Sequence, residues 1–151
     1  MPRRQTSPSR WLLVTDANSA EVLELARQLP AGSGILVLVP LVSSQMLRLR
    51  YIAALRRLTV TEEAPGAAAR VHNIKELRRA LLRRTDIIML SPLYPTRSHP
   101  DWQPLGRMQA AAVARLGGRR LVALGGMDAK RYARVARLGF SGWAGISAFR
   151  T

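Results

Sequence analysis

The segment Ser91-Pro-Leu-Tyr-Pro-Thr-Arg-Ser-His-Pro100 gathers side chains able to do chemistry, with Thr96, Arg97, Ser98 and His99 in consecutive positions. Two hydroxyls, a guanidinium and an imidazole can all donate to an anion, and the imidazole can also move a proton. Three prolines in these ten residues restrict the backbone before any ligand arrives. The other histidine, His72, closes the strand-like run Arg70-Val71. Gly125-Gly126 directly follows the apolar run Leu121-Val-Ala-Leu124, and glycines there let backbone N–H groups approach an anion without a Cβ in the way. Gly142 and Gly145 thin the backbone in the same way ahead of Ile146-Ser147. Each feature also has a plain structural reading: a rigid surface loop, a histidine packed at a strand end, tight turns.

The elements that must position these groups alternate from end to end. Trp11-Leu-Leu-Val14 reads as a buried strand, followed by a helix over 20–28 capped by Ser19, with Val22, Leu25, Ala26 and Leu29 at helical spacing. Ile35-Leu-Val-Leu-Val39 is a strand covered on both faces. A helix from Ser43 or Ser44 to Arg57 carries Leu47, Tyr51, Leu55 and Leu58 along one face. Leu58-Thr-Val-Thr61 is a short strand, and 62–69 is too broken for a full helix. Asn73 and Glu76 form a variant capping box for a helix over 74–84. Asp86-Ile-Ile-Met-Leu90 is the strand before the polar loop. A helix over 105–116, the strand 120–124, a helix over 129–138 capped by Asp128, and the strand 141–146 follow. Strand–helix alternation of this kind gives an α/β protein with parallel strands. No linker divides the chain, so residues 11–151 are expected to form one domain behind a flexible start over residues 1–10.

Composition bounds the function. The chain has 151 residues, 48% of them apolar, enough for one domain with a real core. It contains no cysteine, which excludes disulfides and thiol chemistry. No apolar run approaches the ~20 residues of a membrane span, and the start of the chain makes a poor signal peptide. The expected location is therefore cytoplasmic. The net charge of +15 comes almost wholly from arginine, with Lys75 and Lys130 the only lysines. An anionic partner fits that charge. The arginines are spread over the whole chain with no basic tail, however, which favours arginines that simply solvate helix faces and makes nucleic acid the less expected partner.

Three ordered motifs carry a resemblance. Ser91 to Pro100, Val122-Ala-Leu-Gly-Gly-Met127 and Gly139-Phe-Ser-Gly-Trp-Ala-Gly-Ile-Ser147 resemble the thiamine phosphate synthase family, which includes the thiazole tautomerases. The resemblance covers Arg70 to Phe149 well and Trp11 to Val39 loosely. It implies a (βα)8 TIM-barrel-like fold. It also implies a reaction that joins hydroxymethylpyrimidine pyrophosphate to a thiazole phosphate, with Mg2+, in thiamine biosynthesis. By the same resemblance, Thr96 and Ser98 stand at two phosphate-contacting hydroxyl positions. His99 replaces a lysine there, and Arg97 could restore its charge. Gly125, Gly126, Ile146 and Ser147 match the backbone cradle for the thiazole phosphate. His72 falls at the position of the proton-transfer histidine of the tautomerase branch.

The departures are equally specific. A basic Gln-x-Arg-x-Lys run is expected at the end of the second strand, but Ile35-Leu-Val-Leu-Val-Pro40 carries no charge. The acidic residues that hold Mg2+ in the family have no counterpart around 59–69 beyond Glu62 and Glu63, so no metal ligand is assigned. A full barrel commonly exceeds ~200 residues. Roughly two βα units should therefore be missing from the middle, leaving six to seven strands and a homodimer as one way to cover the gap. Three functions stand open: a synthase-like transferase, a metal-independent tautomerase-like isomerase using His72, and a non-catalytic module binding a phosphorylated ligand or nucleic acid.

Overall fold

The computed structural model describes residues 8–15, 18–97, 99–146 and 149. Among these residues seven strands and five α-helices follow one another in the order β1 (Arg10–Val14), α1 (Ser19–Gln28), β2 (Gly34–Val37), α2 (Ser43–Arg56), β3 (Thr59–Glu62), β4 (Ala68–Val71), α3 (Ile74–Leu82), β5 (Ile87–Leu90), α4 (Arg107–Gly117), β6 (Leu121–Ala123), α5 (Ala129–Val135) and β7 (Gly142–Gly145). The strands pair in the order β3-β2-β1-β7-β6-β5-β4, and every pairing is parallel. The sheet curls into a nearly closed, TIM-barrel-like α/β fold.

Side-chain alternation along each strand fixes what faces inward. Trp11, Leu13, Leu36, Ala68, Met89, Val122 and Ala144 pack together as the barrel interior. The alternate residues face the helices. Leu12, Val14, Ile35 and Val37 pack with Val22 and Ala26 of α1 and Leu49 and Ala53 of α2. Ile88, Leu90, Leu121 and Ala123 pack with Leu77 and Ala80 of α3 and Ala110 and Val113 of α4. Strands covered on both faces need continuous apolar runs, which is why β1 from Trp11 onward, β2 and β5 carry no polar side chain. Trp11 plugs the amino-terminal end of the interior, and its indole Nε1 donates to the Pro8 carbonyl at 3.2 Å. Gly34 makes room for it, since a Cβ there would lie 2.3 Å from the indole.

The barrel is open along one seam. β3 and β4 are the two edges of the sheet, yet they are consecutive in the chain, joined by residues 63–67 with no crossover helix. The Ala64 carbonyl accepts from the N–H groups of Ala67 and Ala68, which turns the chain sharply. The Gly66 carbonyl accepts from Asp86 N–H at 3.1 Å, tying the turn to the start of β5. Seven strands among the described residues agree with the six to seven expected from the apparent loss of βα units. The sheet has seven strands, one fewer than a full barrel, and the helices are missing on both sides of that one position.

One expected face is wrong. Leu47, Tyr51 and Leu55 of α2 are 71%, 66% and 68% exposed, so they form the outer surface of the helix. Leu49 and Ala53 are the buried positions instead. Arginines interleave with apolar residues on α2, so apolar spacing alone does not choose between the two faces. α1 keeps the expected core positions, with Val22, Ala26 and Leu29 buried, but its N-cap is Asn18 rather than Ser19. Among the described residues no helix is long and apolar enough to cross a membrane.

Candidate functional site

All seven strands send a residue at or just past their carboxyl end to one cavity of about 980 Å3: Thr15, Leu38, Glu63, His72, Ser91, Gly125 and Ile146. Arg70, Thr96, His99 and Trp102 line it as well. Of the residues singled out from the sequence, the cavity thus brings together His72, Thr96, His99, Gly125 and Ile146. Arg97 is exposed, and neither it nor Gly126 lines the cavity. Ser98 and Ser147 lie outside the described residues.

His72 is positioned by the helix that follows it. The Asn73 side chain caps α3 by accepting from Glu76 N–H at 2.9 Å. Glu76 reaches back, so that its Oε2 accepts from His72 N–H at 2.8 Å and lies 3.0 Å from His72 Nδ1. Partial burial pushes the Glu76 carboxyl up, but the two His72 hydrogen bonds, with the charges of His72 and Arg79, outweigh it and hold the carboxyl below its ordinary value. An ionised carboxylate can only accept, so the hydrogen of this contact sits on Nδ1. Nε2 is then the ring nitrogen left to accept a proton.

Trp102, which the sequence reading did not single out, joins the two histidines. Its ring stacks on His99, with centroids 3.9 Å apart and planes 8° from parallel. It meets His72 edge to face at 5.1 Å. Trp102 N–H donates to the His99 carbonyl, and Leu105 N–H donates to the Pro92 carbonyl, so the loop is fastened to its own beginning. An aromatic between Pro100-Asp101 and Pro104, outside any apolar periodicity, was the available signal.

The diglycine corner is shaped by the same loop. Gly125 and Gly126 have φ of +98° and +59°, conformations that favour glycine. A Cβ on Gly125 would lie 2.7 Å from Pro92 Cα, and one on Gly126 would lie 2.4 Å from the Pro95 carbonyl oxygen. The carbonyls of Leu124 and Gly125 accept from Leu93 and Tyr94, and Arg131 donates to the Gly126 carbonyl. The N–H groups of Gly125 and Gly126 donate to nothing among the described residues, so this corner keeps two backbone donors. Asp128 caps α5, as expected, by accepting from Arg131 N–H at 2.7 Å. Gly142 serves packing, because a Cβ there would sit 2.6 Å from the Ser9 carbonyl oxygen.

Charge on the cavity wall is unequal. Arg70, Arg79 and Arg83 line it against the carboxylates Glu63 and Glu76. Glu63 is paired with Arg70 through two contacts, at 2.8 and 3.1 Å. Glu76 is committed to His72. No group of three His, Cys, Asp or Glu among the described residues could gather around a metal ion. Among the described residues the mouth thus offers no uncommitted carboxylate to Mg2+.

A TIM-barrel-like α/β fold with its cavity at the carboxyl-terminal mouth places this chain among the barrel proteins whose sites are built from the loops after the strands. The family model described as thiamine monophosphate synthase matches residues 61–149, and the chain belongs to that family. A putative thiamine-phosphate synthase 2 of Aquifex aeolicus is 33% identical over 78 residues, which span 52% of this chain and 42% of that protein. The match thus spans less than half the length of that curated relative. The structure of a thiamine phosphate pyrophosphorylase from Pyrococcus furiosus superposes with a TM-score of 0.72 at 14% identity, covering 95% of this chain and 88% of the other. One from Bacteroides thetaiotaomicron gives 0.56 at 12% identity, covering 93% and 83%. These two likenesses concern the fold.

Proposed function

We propose that the chain acts in thiamine biosynthesis by binding a thiazole phosphate in the barrel mouth. The observation that carries this reading is the convergence of His72, Thr96, His99, Gly125 and Ile146, from four different strand ends, on one cavity. In this reading the free N–H groups of Gly125 and Gly126 receive the phosphate. The indole of Trp102 and the ring of His99 offer a flat surface for the heterocycle. The test is thermal stabilisation by the thiazole phosphate compared with its dephosphorylated alcohol.

For the reaction, two activities compete. The transferase would join the thiazole phosphate to hydroxymethylpyrimidine pyrophosphate. The isomerase would move a proton on the thiazole, with His72 Nε2 as the acceptor and Glu76 holding the ring's orientation and tautomer. The 3.0 Å contact between His72 Nδ1 and Glu76 favours the isomerase, since it fixes the ring and leaves Nε2 as the nitrogen that can exchange a proton. Activity that survives EDTA and disappears in His72→Ala supports it; pyrophosphate release that requires Mg2+ rejects it in favour of the transferase.

A second copy of the chain is the partner proposed for the open seam. The outer edges of β3 and β4 carry no strand, and the exposed Leu47, Tyr51 and Leu55 lie on the helix preceding β3. Sedimentation should show a dimer that Tyr51→Glu dissociates, and a wild-type monomer at high concentration rejects the pairing.

A further inference from the structure

The basic run expected at the end of β2 is absent, and the two described carboxylates of the mouth, Glu63 and Glu76, are both engaged, yet a phosphoanion in this cavity needs its charge balanced. Arg70 meets that need by position. On β4, Ala68 faces the barrel interior and Val71 faces the helices, so alternation turns Arg70 to the inner side with Ala68. Its guanidinium lines the same cavity as His72, Thr96 and His99. There it makes a two-point contact with Glu63, from Nε to Oε2 at 2.8 Å and from Nη2 to Oε1 at 3.1 Å. Glu63 immediately follows β3, so the pair bridges the seam that the two strands leave unpaired.

A guanidinium fork that fits a carboxylate at two points fits two phosphate oxygens equally well. The pair is partly solvated, with 43% of the arginine side chain and 32% of the glutamate side chain exposed. An ion pair in that setting is weak enough to exchange. Arg79 of α3 lines the cavity too and is not paired with a carboxylate among the described residues, whereas Arg83 borders its far end, at the amino-terminal side of β5.

We infer that this cavity balances the charge of a diphosphate-type anion with Arg70 in place of a divalent cation, Glu63 occupying the guanidinium until the anion arrives. The inference rests on the reading that the cavity takes a phosphorylated ligand, and it concerns a different part of the wall from the Gly125–Gly126 corner. On anion binding the Glu63 carboxylate is released to solvent at the seam, and no covalent bond changes.

The test is calorimetric titration of inorganic pyrophosphate into the full chain at low salt, in EDTA and again in Mg2+. Affinities within about threefold of each other are expected in the two buffers. Arg70→Ala should weaken binding at least tenfold, and Arg70→Lys, which keeps the charge and loses the fork, should fall between. Glu63→Gln should bind about threefold more tightly, because the competing carboxylate is gone. A merely structural ion pair predicts the opposite sign for Glu63→Gln, with both partners' variants weakened together. Binding that appears only with Mg2+, an Arg70→Ala protein that binds like wild type, or a weakened Glu63→Gln protein overturns the inference. Should Arg70→Ala fail to fold, Arg70→Lys and Glu63→Gln still decide it. Failure of a thiazole phosphate to bind while pyrophosphate obeys this pattern would reject the thiazole reading alone.

Discussion

The His99 imidazole lies flat on the Trp102 indole, 3.9 Å between centroids, on the loop that overhangs the barrel mouth. This contact ties a residue chosen from its neighbours in sequence to one that sequence reading passed over. It makes the loop after β5 an aromatic wall of the cavity as well as a set of polar groups.

That wall should respond to a ligand. Trp11 and Trp143 are 1% and 5% exposed, and Trp102 is 43% exposed. Acrylamide quenching of indole fluorescence therefore reports mainly Trp102. A ligand seated in the mouth should protect it, and Trp102→Phe should remove the accessible component. Trp102→Ala should weaken ligand binding about tenfold, matching the ~1.4 kcal/mol of a lost aromatic contact.

The Glu76 contacts give a pH dependence with a definite sign. Its folded-state value lies below the ordinary carboxylate value of 4.5. The stability it contributes is then fully present above that ordinary value and lost as pH falls through the lower folded value. Glu76→Gln keeps an acceptor for the capping box and removes the charge, so it should destabilise the chain at neutral pH by less than about 1 kcal/mol. The difference from wild type should close in acid. Chemical denaturation at pH 7 and near pH 3 checks this, and an equal difference at both would reject the role given to the carboxylate.

Gly34 should tolerate no side chain. A methyl group there meets the Trp11 indole at 2.3 Å in the closed end of the barrel. Gly34→Ala should cost about 1–3 kcal/mol, typical of overpacking. A parallel Trp11→Phe, Gly34→Ala double variant should recover part of the loss, and thermal melts of the three proteins measure the coupling.

Much of this arrangement is legible in the sequence where local chemistry decides. The aliphatic runs of β1, β2 and β5 state their own burial, and Asn73 with Glu76, or Asp128 before α5, state where helices begin. The motifs after β5, β6 and β7 carry the family and one side of the mouth, the side of Thr96, His99, Gly125 and Ile146. Three features are settled only by tertiary packing. The outer face of α2 was misassigned because apolar residues occur on both sides of that helix. The course of residues 63–67 depends on which edges the sheet leaves open. Trp102 enters the site through a loop whose direction is set by contacts to Pro92 and His99.

The Arg70–Glu63 pair should matter little to stability, being partly solvated. Glu63→Gln should change unfolding free energy by less than about 1 kcal/mol. A larger loss would show that the pair holds the seam shut.

The central claim is that the barrel mouth receives a phosphorylated thiazole. Its most direct test is the melting temperature of the full chain with the thiazole phosphate, set against the dephosphorylated alcohol at the same concentration. A rise with the phosphate and none with the alcohol is the result this account predicts. No rise with either compound, or an equal rise with both, would contradict it.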